Sequence, residues 1–220
     1  EIRAAINALP SNGGEIVILN GTYHMANIIY CNKRNLTITG NGASTILQKS
    51  GSSSTNILQL TADNIAIKHI ILDGNSETHT LNGGKGIGIG GENNICISNV
   101  KVVNCNGSGV DIYSGSSHTI ENSYFENNYE GIYVGADNCN IINNKSVNNS
   151  QSGIRNTYSD GMNLINNIID GNGSSGIMIT SSNNVKLLNN TITNNTQDGI
   201  YISSSNNVLI SENYICDNNG

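Results

Sequence analysis

The chain has 220 residues, a formal net charge of −6 and an isoelectric point near 5.0. This acidic balance argues against nucleic acid as the main partner. No apolar run approaches the ~18 residues that a membrane helix needs, so we expect no membrane insertion. Gly and Asn are frequent and recur at fixed intervals among Ile, Val and Leu. Such recurrence indicates a repeat rather than a disordered chain, and the length suits one domain, residues 1–220.

The first residues have the spacing of a short amphipathic helix. Ile2, Ala5, Ile6 and Leu9 follow the i, i+3, i+4, i+7 pattern, and Pro10 ends it. We predict a capping helix within residues 1–12 that covers the exposed edge of the first coil of a repeat protein.

Residues 13–85 carry apolar alternation without a regular period, and we interpret them as irregular opening coils. The segments 65–67 and 70–72 match 95–97 and 100–102 at a spacing of 30 residues. This spacing is longer than the later period, so we predict an insertion within residues 76–84.

Residues 86–220 contain a regular repeat that is marked by glycine. The marker glycines are separated by 23, 22, 22, 23 and 23 residues: Gly86, Gly109, Gly131, Gly153, Gly176 and Gly199. After each glycine the residues alternate between apolar and polar, which is typical of a strand. Periods of this length indicate solenoids. We therefore predict an all-β, single-stranded, right-handed parallel β-helix with three sheets and about seven coils of 22–23 residues.

Two columns of asparagine are predicted to stack as ladders inside the turns. The first contains Asn122, Asn144, Asn167, Asn190 and Asn213, and the second contains Asn127, Asn149, Asn172, Asn195 and Asn218. Between them we predict a strand with the inward residues Val102, Phe125, Val147, Ile169 and Ile192. The next marker glycine would fall near position 222, so we expect a fragment that is open at its C-terminal coil, where a flanking domain or a second copy could dock.

Outward positions of the glycine strands bring together side chains that can carry chemistry. We predict four catalytic residues: Asp111, Tyr113, Tyr133 and Arg155. We predict four substrate-binding residues: Lys85, Ser108, Glu130 and Tyr201. Removing the proton α to a uronate carboxylate needs a cation beside that carboxylate, a base and an acid. A guanidinium, an ammonium and two phenols supply these groups, and tyrosine rings also stack on sugars.

Competing interpretations of the same residues stay open. Adjacent Asp and Arg on a solenoid often form only a surface ion pair. His79, in the predicted insertion, is a rival base. His69 and His118 are expected on the surface of the coils.

Three parts of the sequence resemble known families. Residues 2–6, 13–18 and 20–23 are similar to the capping region of pectate-lyase-like β-helix proteins, which include phage tailspikes. Residues 72–75 and 108–113 resemble the catalytic modules of mannuronan C5-epimerases. Asp111 matches the aspartate of their motif, while Ser108 and Tyr113 replace its tyrosine and histidine, and Lys85 is a candidate for a lysine of the inserted segment. Later coils resemble NosD-type and archaeal surface β-helix repeats.

From these observations we expect a secreted or cell-surface protein that binds an acidic or neutral polysaccharide. The favoured activity is a uronate polymer lyase or C5-epimerase that abstracts the C5 proton. The alternatives are a non-catalytic carbohydrate-binding module, such as a tail fibre or adhesin, and a glycoside hydrolase that uses Asp111 and Glu130. We predict no metal site, and we assign no cofactor. The sequence contains no dense acidic loop that would identify a Ca²⁺ site, so a requirement for Ca²⁺ stays open.

Overall fold

Short runs of alternating apolar residues form the strands, and polar turn residues separate them. A computed structural model describes residues 1–50, 54–77 and 83–220. The chain begins with α1 (Ile2–Ala8), whose Ile2 and Ile6 are buried against the first coil. This position confirms the predicted cap.

Each coil contributes one strand to each of three sheets. The first three coils contain β1 (Gly14–Val17), β2 (Gly21–Met25), β3 (Ile29–Cys31), β4 (Leu36–Thr39), β5 (Thr45–Lys49), β6 (Leu58–Leu60), β7 (Ala66–Lys68), β8 (Ile71–Asp73) and β9 (Ile87–Ile89). A 3₁₀ turn, Gly42–Ser44, precedes β5.

The middle coils are shorter and more regular. Coils 4 to 6 contain β10 (Cys96–Ser98), β11 (Lys101–Val103), β12 (Val110–Ile112), β13 (Thr119–Glu121), β14 (Tyr124–Glu126), β15 (Ile132–Val134), β16 (Asn140–Ile142), β17 (Lys145–Val147) and β18 (Ile154–Thr157).

The last coils continue the pattern to the end of the chain. They contain β19 (Asn163–Ile165), β20 (Ile168–Asp170), β21 (Ile177–Thr180), β22 (Lys186–Leu188), β23 (Thr191–Thr193), β24 (Ile200–Ser203), β25 (Leu209–Ser211) and β26 (Tyr214–Cys216).

The three sheets are parallel and pair each strand with its equivalent one coil away. Sheet A runs from β1 to β25, sheet B from β2 to β26, and sheet C from β3 to β24, with every third strand as a neighbour. The described residues thus form eight three-stranded coils and two strands of a ninth, where the sequence predicted about seven. The predicted three-sheet parallel β-helix is confirmed.

The core is a stack of aliphatic side chains enclosed by the three sheets. Phe125, its largest side chain, is fully buried among Ile, Leu and Val from the neighbouring coils. The predicted match at a spacing of 30 residues is confirmed, because Ile97 pairs with Ile67 in sheet A. The insertion that causes this spacing lies partly outside the described residues, at 78–82.

Asparagine has two separate structural roles at the turns. One residue bends the backbone in the left-handed region, as Asn143 does with φ +56°, and the next residue, Asn144, is buried in the ladder. The ladder amides bond from coil to coil: Asn144 Nδ2 donates to Asn167 Oδ1 at 3.2 Å, and Asn167 Nδ2 donates to Asn190 Oδ1 at 3.0 Å. The predicted buried ladder is therefore present.

In one coil, the predicted ladder positions are one residue away from the observed ones. Asn122 and Asn127 have positive φ and are bend residues. The ladder positions of that coil are Ser123 and Asn128, whose backbone N–H groups donate to the amide oxygens of the next coil. The prediction that Val147 faces inward is also wrong.

The residue that pairs with the inward Phe125 is Ser146. Its hydroxyl donates to the carbonyl of Gly153 at 2.8 Å and accepts from Asn149 Nδ2 at 3.0 Å. A buried hydroxyl is tolerated at this inward position because both of its hydrogen bonds are made within the core.

Candidate functional site

The candidate site lies on the outer face of sheet C, where three consecutive coils present chemically active side chains. Asp111 of β12 pairs with Tyr133 of β15, and Tyr133 pairs with Arg155 of β18. Because equivalent residues of adjacent strands lie ~4.8 Å apart, the three side chains form one row. The glycine register therefore brings together residues that are 22 positions apart in the sequence.

A depression of about 330 Å³ contains seven of the eight predicted site residues. Its lining comprises Lys85, Ser108, Asp111, Tyr113, Glu130, Tyr133 and Arg155. Tyr201 is not among them, because it lies two coils beyond Arg155 and pairs with Met178. The structure thus separates Tyr201 from the other seven.

Each cation of the depression contacts a carboxylate. Lys85 Nζ lies 3.0 Å from Asp111 Oδ2, and Arg155 Nη1 lies 3.2 Å from Glu130 Oε1. The first pair joins coils 3 and 4, and the second joins coils 5 and 6. They hold the ammonium and the guanidinium in defined positions.

Glu130 forms the buried floor of the depression. Its side chain is 2% exposed, and it accepts a hydrogen bond from Ser108 Oγ at 3.4 Å as well as the one from Arg155. Burial raises the pKa of the Glu130 carboxyl, Arg155 and Ser108 lower it to a smaller extent, and the charge of Asp111 raises it further. Glu130 therefore holds its proton to a higher pH than an exposed glutamate.

The two tyrosines of the depression differ in their surroundings. Burial raises the pKa of Tyr133, the positive charge of Arg155 opposes this, and Asp111, Glu130 and Tyr113 add to it. The Arg155 guanidinium also lies over the Tyr133 ring, 5.7 Å from its centre. Tyr113 is 74% exposed at the rim. Tyr133 is thus a phenol that keeps its proton, and Tyr113 is open to a ligand.

Three further residues adjoin the site, although none of them was predicted as a site residue. Gly88 occupies the position of the outward row that precedes Asp111. Asn56 Nδ2 donates to Gln59 Oε1 at 2.7 Å next to this glycine, and Asn56 Oδ1 accepts from the backbone N–H of Lys85 at 3.0 Å. Asn56 and Gln59 were missed because the coil that contains β6 precedes the regular glycine repeat.

The histidine expectations have different outcomes. His79 lies outside the described residues. His69 is exposed in a positive-φ turn, as expected. The expectation for His118 is wrong: it is buried, and its Nδ1 accepts a hydrogen bond from the backbone N–H of Ile95 at 3.3 Å. Burial lowers the pKa of His118, which therefore serves as a neutral inner residue of its turn.

Three further observations concern cysteines, metals and membranes. All five cysteines are free. In residues 1–50, 54–77 and 83–220, no group of three or more His, Cys, Asp or Glu side chains is placed to hold a metal ion. Within the same ranges, no helix is both long and apolar enough to span a membrane.

The sequence matches the family described as "Right handed beta helix region" over residues 14–155 and 85–220, and the chain belongs to this family. No curated protein matches it significantly.

Solved structures of similar fold come from polysaccharide-related proteins and phage tailspikes. The A-module of mannuronan C-5 epimerase AlgE6 from Azotobacter vinelandii superimposes with a TM-score of 0.89 at 22% identity, covering 99% of this chain and 65% of the module. The Dettilon tailspike protein gives a TM-score of 0.82 at 15% identity, with 91% and 42% coverage. Pectate lyase Pel9A gives 0.70 at 17% identity, with 96% and 72% coverage. At these identities the likeness establishes the fold, and the chain spans under two thirds of the first two proteins.

Proposed function

We propose that the protein acts on an acidic polysaccharide outside the cell, as a uronate polymer lyase or C5-epimerase. The observation that carries this proposal is the single depression in which Lys85, Arg155 and two tyrosines meet. Several neighbours of similar fold, an epimerase module and a pectate lyase among them, carry names of enzymes for acidic polysaccharides.

The charge balance of the depression suits an anionic sugar. Lys85 and Arg155 are matched by Asp111 and Glu130. Because burial raises the pKa of Glu130, this carboxyl takes up a proton more readily than an exposed glutamate does. A protonated Glu130 leaves one positive charge in excess, which a uronate carboxylate would neutralise.

In the proposed reaction the sugar carboxylate lies against Lys85 and Arg155, which stabilise the charge that develops when the C5 proton leaves. Tyr113, at the open rim, acts in its phenolate form, and its phenolic oxygen takes this proton. The electron pair of the C5–H bond forms the enolate-like intermediate. In a lyase this electron pair then forms the C4=C5 double bond while the C4–O4 bond breaks, and Tyr133, which retains its proton, gives it to the departing O4. In an epimerase Tyr133 gives its proton to the opposite face of C5 instead.

Two variants test these roles. Tyr133→Phe removes only the phenolic O–H, and Arg155→Ala removes the cation. We expect each to reduce turnover about 10²-fold or more. Tyr214→Phe on sheet B and Arg34→Ala in a turn of the second coil are matched controls outside the depression, and they should leave turnover unchanged. Full turnover in both test variants would remove the proposed site.

The reaction class follows from the products. The full chain is incubated in heavy water with alginate, pectate and glycosaminoglycans. Unsaturated ends that absorb ultraviolet light indicate a lyase, and deuterium at C5 indicates an epimerase. Glycan binding without either product would contradict the proposed activity and favour a binding module.

A hydrolase is the second candidate, because Asp111 and Glu130 are two nearby carboxyls in different environments. Glu130 is buried with a raised pKa, as a general acid requires, while Asp111 is paired with Lys85. This candidate predicts new reducing ends without unsaturation or deuterium. Substitution of Glu130 by Gln should then abolish the release of these ends.

A further inference from the structure

A second depression, larger than the candidate site, lies at the N-terminal end of the solenoid. Its volume is about 470 Å³, and its lining includes Arg3 of α1, Tyr30 of β3, Asn27 and Thr55. It shares no residue with the depression around Asp111.

The two depressions lie on one continuous face. In the outward row of sheet C, Tyr30 pairs with Gln59, Gln59 with Gly88, and Gly88 with Asp111. Three strand steps of ~4.8 Å place Tyr30 roughly 14 Å from Asp111 along the solenoid axis. One coil step is close to the length of one sugar ring in an extended chain, so a few sugars would span the gap.

The surface between the depressions is low and polar. Gly88 has no side chain, and a Cβ there would lie 2.5 Å from both Asn56 Nδ2 and Gln59 Oε1. The amides of Asn56 and Gln59 bond to each other, and Asn56 also accepts from the backbone of Lys85. This amide floor leaves room for a chain to pass and offers donors and acceptors to its hydroxyl groups.

The chemistry of the second depression matches an acidic sugar. Tyr30 is 52% exposed and presents a ring on which a sugar can stack. The exposed Arg3 carries a planar guanidinium that binds carboxylates through two parallel hydrogen bonds. The Asn27 amide and the Thr55 hydroxyl supply further polar groups, and the hydroxyl of Thr55 is held by the buried Lys49 at 2.6 Å.

We propose that the depression around Arg3 and Tyr30 is an anchoring site for an acidic sugar of the same polysaccharide chain whose reacting residue lies beside Asp111. This inference rests on the proposed function, because it assumes that an acidic chain lies along sheet C. It assigns Arg3 and Tyr30 a role in binding long chains and none in the chemical step.

The test is calorimetric binding of oligomannuronates and oligogalacturonates to the full chain, with trimers and heptamers compared. A trimer reaches only one depression, whereas a heptamer reaches both. We expect the wild-type protein to bind the heptamer about tenfold more tightly than the trimer, which corresponds to ~1.4 kcal/mol. Arg3→Gln and Tyr30→Ala should each remove most of this advantage while the trimer affinity stays the same. Arg34→Gln and Tyr214→Ala are the matched controls.

Three results would overturn the anchoring site. They are a heptamer advantage that survives in both variants, equal binding of trimer and heptamer by the wild-type protein, and no binding of either acidic oligomer. A loss in Tyr30→Ala alone would also overturn the acidic ligand, because a neutral sugar would stack without needing Arg3. Matching unfolding midpoints would show that the variants are folded.

Failure of the anchoring site and failure of the proposed activity give different results. If the heptamer advantage depends on Arg3 and Tyr30 but no unsaturated ends or deuterium form, the anchor stands and the activity falls. If turnover occurs but these variants leave the length dependence unchanged, the activity stands and the anchor falls.

Discussion

Asn172 offers the sharpest test of the buried amide ladder. Its Oδ1 accepts from the backbone N–H of Asn149 at 3.1 Å and from Asn149 Nδ2 at 2.9 Å. Its Nδ2 donates to Asn195 Oδ1 at 2.9 Å and to the carbonyl of Ser146 at 3.2 Å. A fifth bond runs from Asn172 Nδ2 to the carbonyl of Asp170 at 3.4 Å. Asn172→Ala removes all five bonds and leaves the buried N–H of Asn149 without its acceptor.

The magnitude follows from these contacts. An unsatisfied buried N–H costs about 1–3 kcal/mol, and a typical lost hydrogen bond costs about 1 kcal/mol. We therefore expect Asn172→Ala to lower the free energy of unfolding by roughly 3–5 kcal/mol, measured by urea unfolding followed by circular dichroism. Asn163→Ala in the same coil is the control, because its half-buried amide makes one bond, to Asn140 Oδ1 at 2.9 Å. A loss in Asn172→Ala within ~1 kcal/mol of this control would refute the reasoning.

Three further predictions concern the buried Glu130, the marker glycine Gly131 and Tyr201. Burial raises the pKa of Glu130 in the folded chain. The protonated carboxyl therefore makes its full favourable contribution to the free energy of unfolding below the ordinary carboxyl pKa, and this contribution is lost as pH rises through the raised value. Urea unfolding across this range should show that the stability of wild type minus that of Glu130→Gln falls as pH rises, and a constant difference would contradict the burial. Gly131→Ala should lower the unfolding midpoint far more than Gly90→Ala, because a Cβ at Gly131 would collide with Ser146 Oγ whereas one at Gly90 meets its nearest atom at 3.4 Å; equal midpoints would contradict this packing. Tyr201→Ala should leave the affinity for acidic trimers unchanged in calorimetry, since Tyr201 lies outside the depression, and a weaker affinity would extend the site by two coils.

The solenoid could be predicted from the sequence because one requirement recurs in every coil. The backbone of each coil passes close to that of the next at the marker glycine; at Gly176, for example, a Cβ would lie 2.8 Å from the carbonyl oxygen of Gly199. Alternation after this fixed point then identifies inward and outward residues without knowledge of the turns. The outward row of Asp111, Tyr133 and Arg155 follows directly.

Register within the turns could not be predicted with the same accuracy. The ladder positions Ser123 and Asn144 are 21 residues apart, while the marker glycines Gly131 and Gly153 are 22 apart. The ladder interval is thus one residue shorter than the glycine interval, and the additional residue lies before Gly153. Counting back from Gly131 by the usual number of residues therefore selects the bend residue Asn122 instead of Ser123. Since Asn serves in both roles, its identity does not reveal the error.

The proximity of seven candidate site residues could be predicted from the sequence, but their burial and ion pairing could not. A position in the outward row does not reveal how deeply a side chain is buried, and Glu130 turns inward beneath Arg155. The pairing of both cations with carboxylates depends on rotamers that the repeat does not specify. His118 was misassigned for a related reason, because its turn buries a position that other coils fill with apolar residues such as Ile95 and Met162.

Because each coil adds one strand to sheet C, a coil of 22–23 residues is a unit that can be inserted or deleted as a whole. Duplicating a coil between Gln59 and Gly88 would lengthen the face by one strand step, while each flanking residue would keep a parallel strand on both sides. The distance between the two depressions would then grow by about one sugar without altering either of them. A protein built in this way can change the distance between two surface sites by gaining or losing whole coils.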